Sequence, residues 1–176
     1  MPLDLTIKGV SVRELSPYLD IRGSLTEIHR DEWDLAPRPV QWDFIFSKEG
    51  SLRGVHVHCL RWDYFVVLEG KATLGLNDLR SASPTFRQPL AIEISGPRAV
   101  SVPPGVAHGI YARTDVRYLY GLTVLWDGTD EDIGCRHNDP ALGIEWPAAY
   151  PIMLQRDLEL GSYEELVERY AAKIRS

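Results

Sequence analysis

No part of this chain runs far before it meets a turn-forming residue. Twelve prolines and fourteen glycines are spread through all 176 residues, with no pooling in a linker. Between them lie short runs rich in β-branched and aromatic side chains, at 42–47, 64–68, 72–76, 90–94, 99–102, 109–112 and 118–125. Runs this short, each closed by turn residues, predict an all-β sandwich or barrel. Leu68-Glu69-Gly70-Lys71 reads as a hairpin turn between two of them. One helix is expected near the end. Ser162 and Glu165 have capping-box spacing, and Leu166, Tyr170 and Ile174 recur four apart as a core-facing stripe. The length suits one domain, 1–176, and 44% hydrophobic residues suffice for its core.

Several function classes drop out on composition. A net charge of −6 with pI near 5.4 argues against a nucleic-acid surface, which needs a cationic patch. No stretch approaches the ~20 apolar residues needed to cross a bilayer, and the N-terminal MPLDLTIKGVSV does not read as a secretory signal. The two cysteines, Cys59 and Cys135, form neither a CxxC pair nor a disulfide framework, so a reducing cytoplasm is the expected setting. No Gly-rich phosphate loop points to NAD or ATP. Asp127, Asp130, Glu131 and Asp132 read as a solvated acidic turn. His29 and His137 likewise read as solvated.

The remaining histidines fall at informative spacings. In a strand, His56 and His58 would project from the same face into the interior. The loop 59–62 would turn the chain, and Asp63 would begin the return strand beside them. Pro103-Pro104-Gly105 then places His108 just after a tight turn. Three imidazoles and one carboxylate, His56, His58, Asp63 and His108, could hold one divalent transition metal such as Fe, Ni, Mn or Zn.

This arrangement resembles the cupin superfamily. Gly50, His56, His58 and Gly70 fall where its first motif requires them, with Asp63 in place of a Glu. Pro103, Gly105 and His108 match its second motif, whose later Asn falls on Ala112 and is missing. A closer resemblance, from about Asp20 to Asp157, is to the dTDP-4-dehydrorhamnose 3,5-epimerase family within the cupins. It rests on Asp20-Ile21-Arg22-Gly23-Ser24-Leu25-Thr26-Glu27, Leu52-Arg53-Gly54-Val55-His56, Asp78-Leu79-Arg80, Ser83-Pro84-Thr85-Phe86, Leu119-Tyr120, Asn138-Asp139-Pro140 and Gly143-Ile144-Glu145-Trp146-Pro147, in family order. The resemblance implies a cupin-type jelly-roll β-sandwich that epimerises a nucleotide-diphosphate 4-keto-6-deoxy sugar at C3, C5 or both, without a cofactor.

Removing a carbon-bound proton beside a ketone gives an enolate, so the chemistry needs a base, an acid and a positive group near the ketone oxygen. By resemblance His56 is the base, Asp157 orients its ring, and Tyr120 is the acid. Arg53 and His108 line the cavity, and Gln41, His58 and Arg61 complete the substrate-binding set. Arg22 and Glu27 lie on a segment that the family exchanges between subunits of a homodimer, which lets Arg22 act in trans. Trp126 matches an aromatic position against the nucleotide base.

Three departures bear on the chemistry. The family has Gln at His58, Lys at Asp63 and Asp at Leu74, and the lost Lys and Asp belong to its enolate-stabilising side. A carboxylate in place of an ammonium reverses the local charge. Either a metal restores it, held by the histidines and Asp63, or His58 pairs with Asp63 and Arg61 becomes the cation. Other readings therefore stand beside the epimerase. One is a metal-dependent cupin isomerase or oxygenase. Another is a dTDP-sugar 3,4-ketoisomerase, whose RGxHAH word Arg53-Gly54-Val55-His56-Val57-His58 also resembles. A third is a sugar-nucleotide binding protein that has lost the chemistry.

Overall fold

The computed structural model describes residues 7–33, 35, 37–126 and 133–175. The acidic residues Asp127, Asp130, Glu131 and Asp132 lie outside them. Among the described residues there are twelve strands: β1 (Ser11–Glu14), β2 (Tyr18–Asp20), β3 (Gly23–Leu25), β4 (Gln41–Ser47), β5 (Leu52–Val57), β6 (Asp63–Glu69), β7 (Lys71–Asp78), β8 (Pro89–Ser95), β9 (Arg98–Val102), β10 (Val106–Ala112), β11 (Val116–Leu122) and β12 (Ile133–Gly134). They form one five-stranded sheet in the order β1-β9-β6-β11-β4 and a second in the order β12-β5-β10-β7-β8, while β2 and β3 make a separate hairpin. Every pairing between these strands is antiparallel. The expected cupin-type β-sandwich is therefore the fold.

Strand periodicity explains where the core sits. Successive side chains point to opposite faces, so on β6 Phe65 and Val67 enter the main core while Tyr64 and Val66 pack with Leu15 and Ala99. The main core gathers Leu74 and Leu76 from β7, Val100 and Val102 from β9, Val106 and Ile110 from β10, and Tyr118 from β11. By the same alternation Asp63, His108 and Tyr120 share a face with these apolar residues. Asp63 opens β6, while His108 and Tyr120 lie within β10 and β11, so these polar groups are aimed into the sandwich beside apolar ones.

All seven sequence-read strands are present, although β11 stops at Leu122 and residues 123–125 fall outside it. The turn at Gly70 joins β6 to β7 with φ +88. Sequence reading missed β1, β2, β3 and β12, strands of two to four residues too short to show an alternation. At the far end, α1 (Gln155–Leu158) precedes α2 (Tyr163–Lys173), which carries the expected Ser162–Glu165 capping box. Tyr163, Leu166 and Tyr170 pack on Val55, Val57 and Ala107, on the outer face of the second sheet. Ile174 does not continue that stripe. It lies beyond the last helical turn and is 50% exposed.

Neither outlying histidine is a freely solvated side chain. His137 is 7% exposed, and its carbonyl accepts from Trp146 Nε1; burial lowers the pKa of its ring. His29 is half-buried against the edges of Trp42 and Tyr64. In both cases tertiary packing decides the environment, and a lone His in the sequence carries no signal of it. Among the described residues no helix is long and apolar enough to cross a membrane.

One glycine sets the spacing that the polar end of the sandwich requires. Gly54 on β5 has φ +125, and a Cβ there would stand 2.7 Å from Gly109 Cα and 2.8 Å from the His108 carbonyl oxygen. It lets β5 approach β10 where His56 lies opposite His108. We expect Gly54→Ala to cost about 2 kcal/mol or more of stability in denaturant melts. A variant as stable as the parent would contradict this account of the strand approach.

Candidate functional site

The polar end of the sandwich opens into a cavity of about 370 Å³. Its wall brings together Arg53, His56, His58, Arg61, His108, Tyr120 and Asp157 from the sequence-predicted set. Phe65, Tyr118 and the segment around Ile152, Met153 and Leu154 supply apolar surface, and Arg156 lies at the wall as well.

Backbone contacts explain how Asp157 reaches this cavity from the C-terminal region. The Leu52 amide donates to the Ile152 carbonyl, and the Ile152 amide donates to Gly50, which lays residue 152 beside β5. The short α1 turn then presents Asp157 to His56, with Oδ1 3.0 Å from Nε2. A carboxylate only accepts, so Nε2 carries the proton and the lone pair is on Nδ1. Burial alone would raise the Asp157 carboxyl, but the His56 hydrogen bond and the nearby His56 and Arg156 charges hold it below the usual carboxylate range.

A second cluster surrounds Asp63, the first residue of β6. Oδ1 accepts from Tyr120 Oη at 2.7 Å and from Arg61 Nε at 3.3 Å. Oδ2 lies 3.3 Å from His58 Nε2 and 3.2 Å from His108 Nε2. Arg61 Nη2 donates to His58 Nε2 at 3.0 Å, and His108 Nδ1 donates to the Val106 carbonyl at 3.1 Å. Asp63, Arg61, His58 and His108 are all buried. Tyr120 stacks on Phe65 with ring centroids 5.0 Å apart. Burial, and then the neighbouring Asp63, push the Tyr120 phenol well above its ordinary value, so it stays protonated.

The expected pairing of His56 with His58 is only half realised. Both line the cavity, but β5 ends at Val57, and His58 turns to Arg61 and Asp63 while His56 joins Asp157. The four-residue metal set is corrected accordingly. Ligand atoms of His58, Asp63 and His108 lie within 4.8 Å of one another, and His56 is not among them. The spacing of those three alone would admit a metal ion. The His58 lone pair already accepts from Arg61, and the same guanidinium touches Asp63, so a metal would have to displace a buried cation.

Four sequence-predicted residues lie away from the cavity. Arg22, on the β2–β3 turn, has 85% of its side chain exposed and, among the described residues, bonds to Asp20. Glu27 lines a separate pocket with Arg13 and Trp33. The Gln41 side-chain oxygen accepts from the Trp126 amide, and Trp126 is 57% exposed. Leu74, where the family has Asp, is buried in the main core. Sequence reading missed Arg156, whose only signal was adjacency to Asp157. The alternative expectation for Asp63, that it pairs with His58 beside Arg61, is the arrangement present.

Comparison with known proteins follows the same lines. A profile of the dTDP-4-dehydrorhamnose 3,5-epimerase family matches residues 4–165. The chain is 29% identical over 175 residues to a dTDP-4-dehydrorhamnose 3,5-epimerase of Streptomyces griseus, covering 94% of this chain and 88% of that protein. The crystal structure of the Bacillus anthracis dTDP-4-dehydrorhamnose 3,5-epimerase with TDP and PPi bound superimposes with a TM-score of 0.83, at 26% identity over 92% of this chain and 98% of that one. A Legionella pneumophila dTDP-6-deoxy-D-glucose-3,5-epimerase in complex with dTDP-4-keto-L-rhamnose gives a TM-score of 0.82, at 26% identity over 94% of this chain and 96% of that one.

The His56–Asp157 pair makes a prediction about stability. A carboxyl whose folded pKa is depressed stabilises the fold above its unfolded value, near 3.9. That contribution is lost as pH falls through the lower folded value. Asp157→Asn therefore flattens the acid limb of a stability-versus-pH curve from denaturant melts. An acid limb unchanged in the variant would contradict the pairing.

Proposed function

This chain belongs to the dTDP-4-dehydrorhamnose 3,5-epimerase family, and on that premise we propose that it is an isomerase that epimerises a nucleotide-linked 4-keto-6-deoxy sugar, at C3, C5 or both, through an enolate. The observation that carries this reading is the convergence of the His56–Asp157 pair and the protonated Tyr120 on one cavity. In the proposed cycle the Nδ1 lone pair of His56 takes the proton from carbon. Asp157, held ionised, fixes the tautomer and stabilises the imidazolium that results. Tyr120 returns a proton to carbon as the phenol, and Arg61 supplies positive charge for the enolate oxygen.

The reaction as proposed needs no cofactor. Arg61 occupies the place that a metal would need, which weighs against a metal-dependent isomerase or oxygenase. A 3,4-ketoisomerase using both histidines is disfavoured because Arg61 engages the His58 lone pair. Arg61 also supplies the cation whose loss would have suggested a binding protein without chemistry.

The finer assignments are likewise proposals. Exposed Leu19, Ile21 and Leu25 on the β2–β3 hairpin, with exposed Phe44 on the edge strand β4, support a homodimer in which Arg22 reaches a partner's cavity. The spacing of Cys59 and Cys135, which makes no CxxC pair, supports a reducing cytoplasmic setting.

His56→Ala is expected to lower turnover of a dTDP-4-keto-6-deoxy sugar by ~10²–10⁴-fold, with dTDP affinity retained. Tyr120→Phe should still exchange the carbon-bound proton with solvent while forming little inverted product. Full activity in His56→Ala would overturn the mechanism.

A further inference from the structure

Several arginines of this chain are neutralised by a carboxylate, among them Arg22, Arg80 and Arg117. Arg53, at the cavity wall, is held differently. Its Nε donates to Ser47 Oγ at 3.0 Å and its Nη2 to the Phe46 carbonyl at 3.3 Å. Both acceptors are uncharged, and among the described residues no carboxylate pairs with this guanidinium. A cation fixed by neutral oxygens keeps its charge for a ligand, whereas a carboxylate partner would cancel most of it.

Strand geometry explains how both anchors reach Arg53. Phe46 and Ser47 close β4 in the first sheet, while Arg53 lies on β5 in the second. Alternation turns the Phe46 side chain outward and Ser47 inward, where Ser47 is 6% exposed. Ser47 thus shares a face with Ile45, which lines the cavity, but is not itself a lining residue. The buried Tyr118 phenol lies beside the same hydroxyl.

We propose that Ser47 is a positioning residue: with the Phe46 carbonyl it fixes the plane of the Arg53 guanidinium, so that this cation meets the diphosphate of a nucleotide-linked sugar already oriented. The choice of diphosphate rests on the proposed epimerase reading. An unheld arginine rotates about several bonds, and ordering it when a ligand arrives opposes affinity. Pinning Nε and one Nη2 hydrogen removes that cost beforehand. Nη1 and the second Nη2 hydrogen then remain for two parallel contacts with phosphate oxygens.

Ser47→Ala removes the hydroxyl and nothing that touches a ligand. It is expected to weaken dTDP binding in calorimetry by about three- to tenfold. For a dTDP-4-keto-6-deoxy sugar KM should rise by a similar factor with kcat little changed. Ser47→Thr keeps the hydroxyl and should bind dTDP like the parent. In an Arg53→Ala background Ser47→Ala should have no further effect, because its action passes through Arg53. Equal weakening in both backgrounds would mark a structural serine and overturn the proposal. So would parental affinity in Ser47→Ala, or failure of that variant to fold. A second measurement needs no ligand. In ¹⁵N spectra the Arg53 Nε hydrogen of Ser47→Ala is expected to exchange with solvent up to about tenfold faster than that of the parent. Equal exchange rates would contradict the positioning role. Failure of the parent to bind dTDP would count against the epimerase reading and leave the exchange measurement to decide on Ser47.

Discussion

The carboxyl group of Asp63 joins four segments of the chain that are remote from one another or would otherwise be independent. Through it the start of β6 is tied to Tyr120 on β11, to His108 on β10, to His58 at the end of β5 and to Arg61 in the intervening loop. Burying an acid in the mouth of an apolar sandwich is tolerable only when each of its oxygens is satisfied, and here both are. The two sheets meet at this point, since β6 and β11 belong to one and β5 and β10 to the other. The cavity geometry therefore depends on the same contacts that keep this polar end of the sandwich closed.

The site divides into two electrostatic halves. On one side an ionised Asp157 holds His56 by Nε2, which leaves the Nδ1 lone pair for the proposed base role. On the other, Tyr120 keeps its proton and Arg61 supplies the positive charge, packed against the Asp63 cluster. The three positions that depart from the family are accommodated in different ways. Leu74 joins the hydrophobic core, while His58 and Asp63 together hold a guanidinium in the site.

Much of this was legible in the sequence because it is local. Turn residues delimit strands, the HxH word ends a strand, and Ser162 with Glu165 caps a helix. The fold, and the choice of His56 and Tyr120 as candidates, followed from long motif words in their family order. What the sequence withheld depends on side-chain direction. His56 and His58 share one word, yet they take different partners, because β5 ends between them at Val57. Four potential ligands suggested a metal, but only the placement of Arg61 decides that His58 is already engaged. His137 looked solvated because nothing local records the packing that buries it.

The central claim is that this cavity removes a proton from carbon beside a ketone without a metal. The most direct measurement is proton NMR of dTDP-4-keto-6-deoxyglucose in deuterated buffer, with the purified protein first dialysed against a chelator. The account predicts deuterium at C3, C5 or both, together with an inverted product. No incorporation by the metal-free protein, with incorporation restored by an added divalent ion, would contradict it.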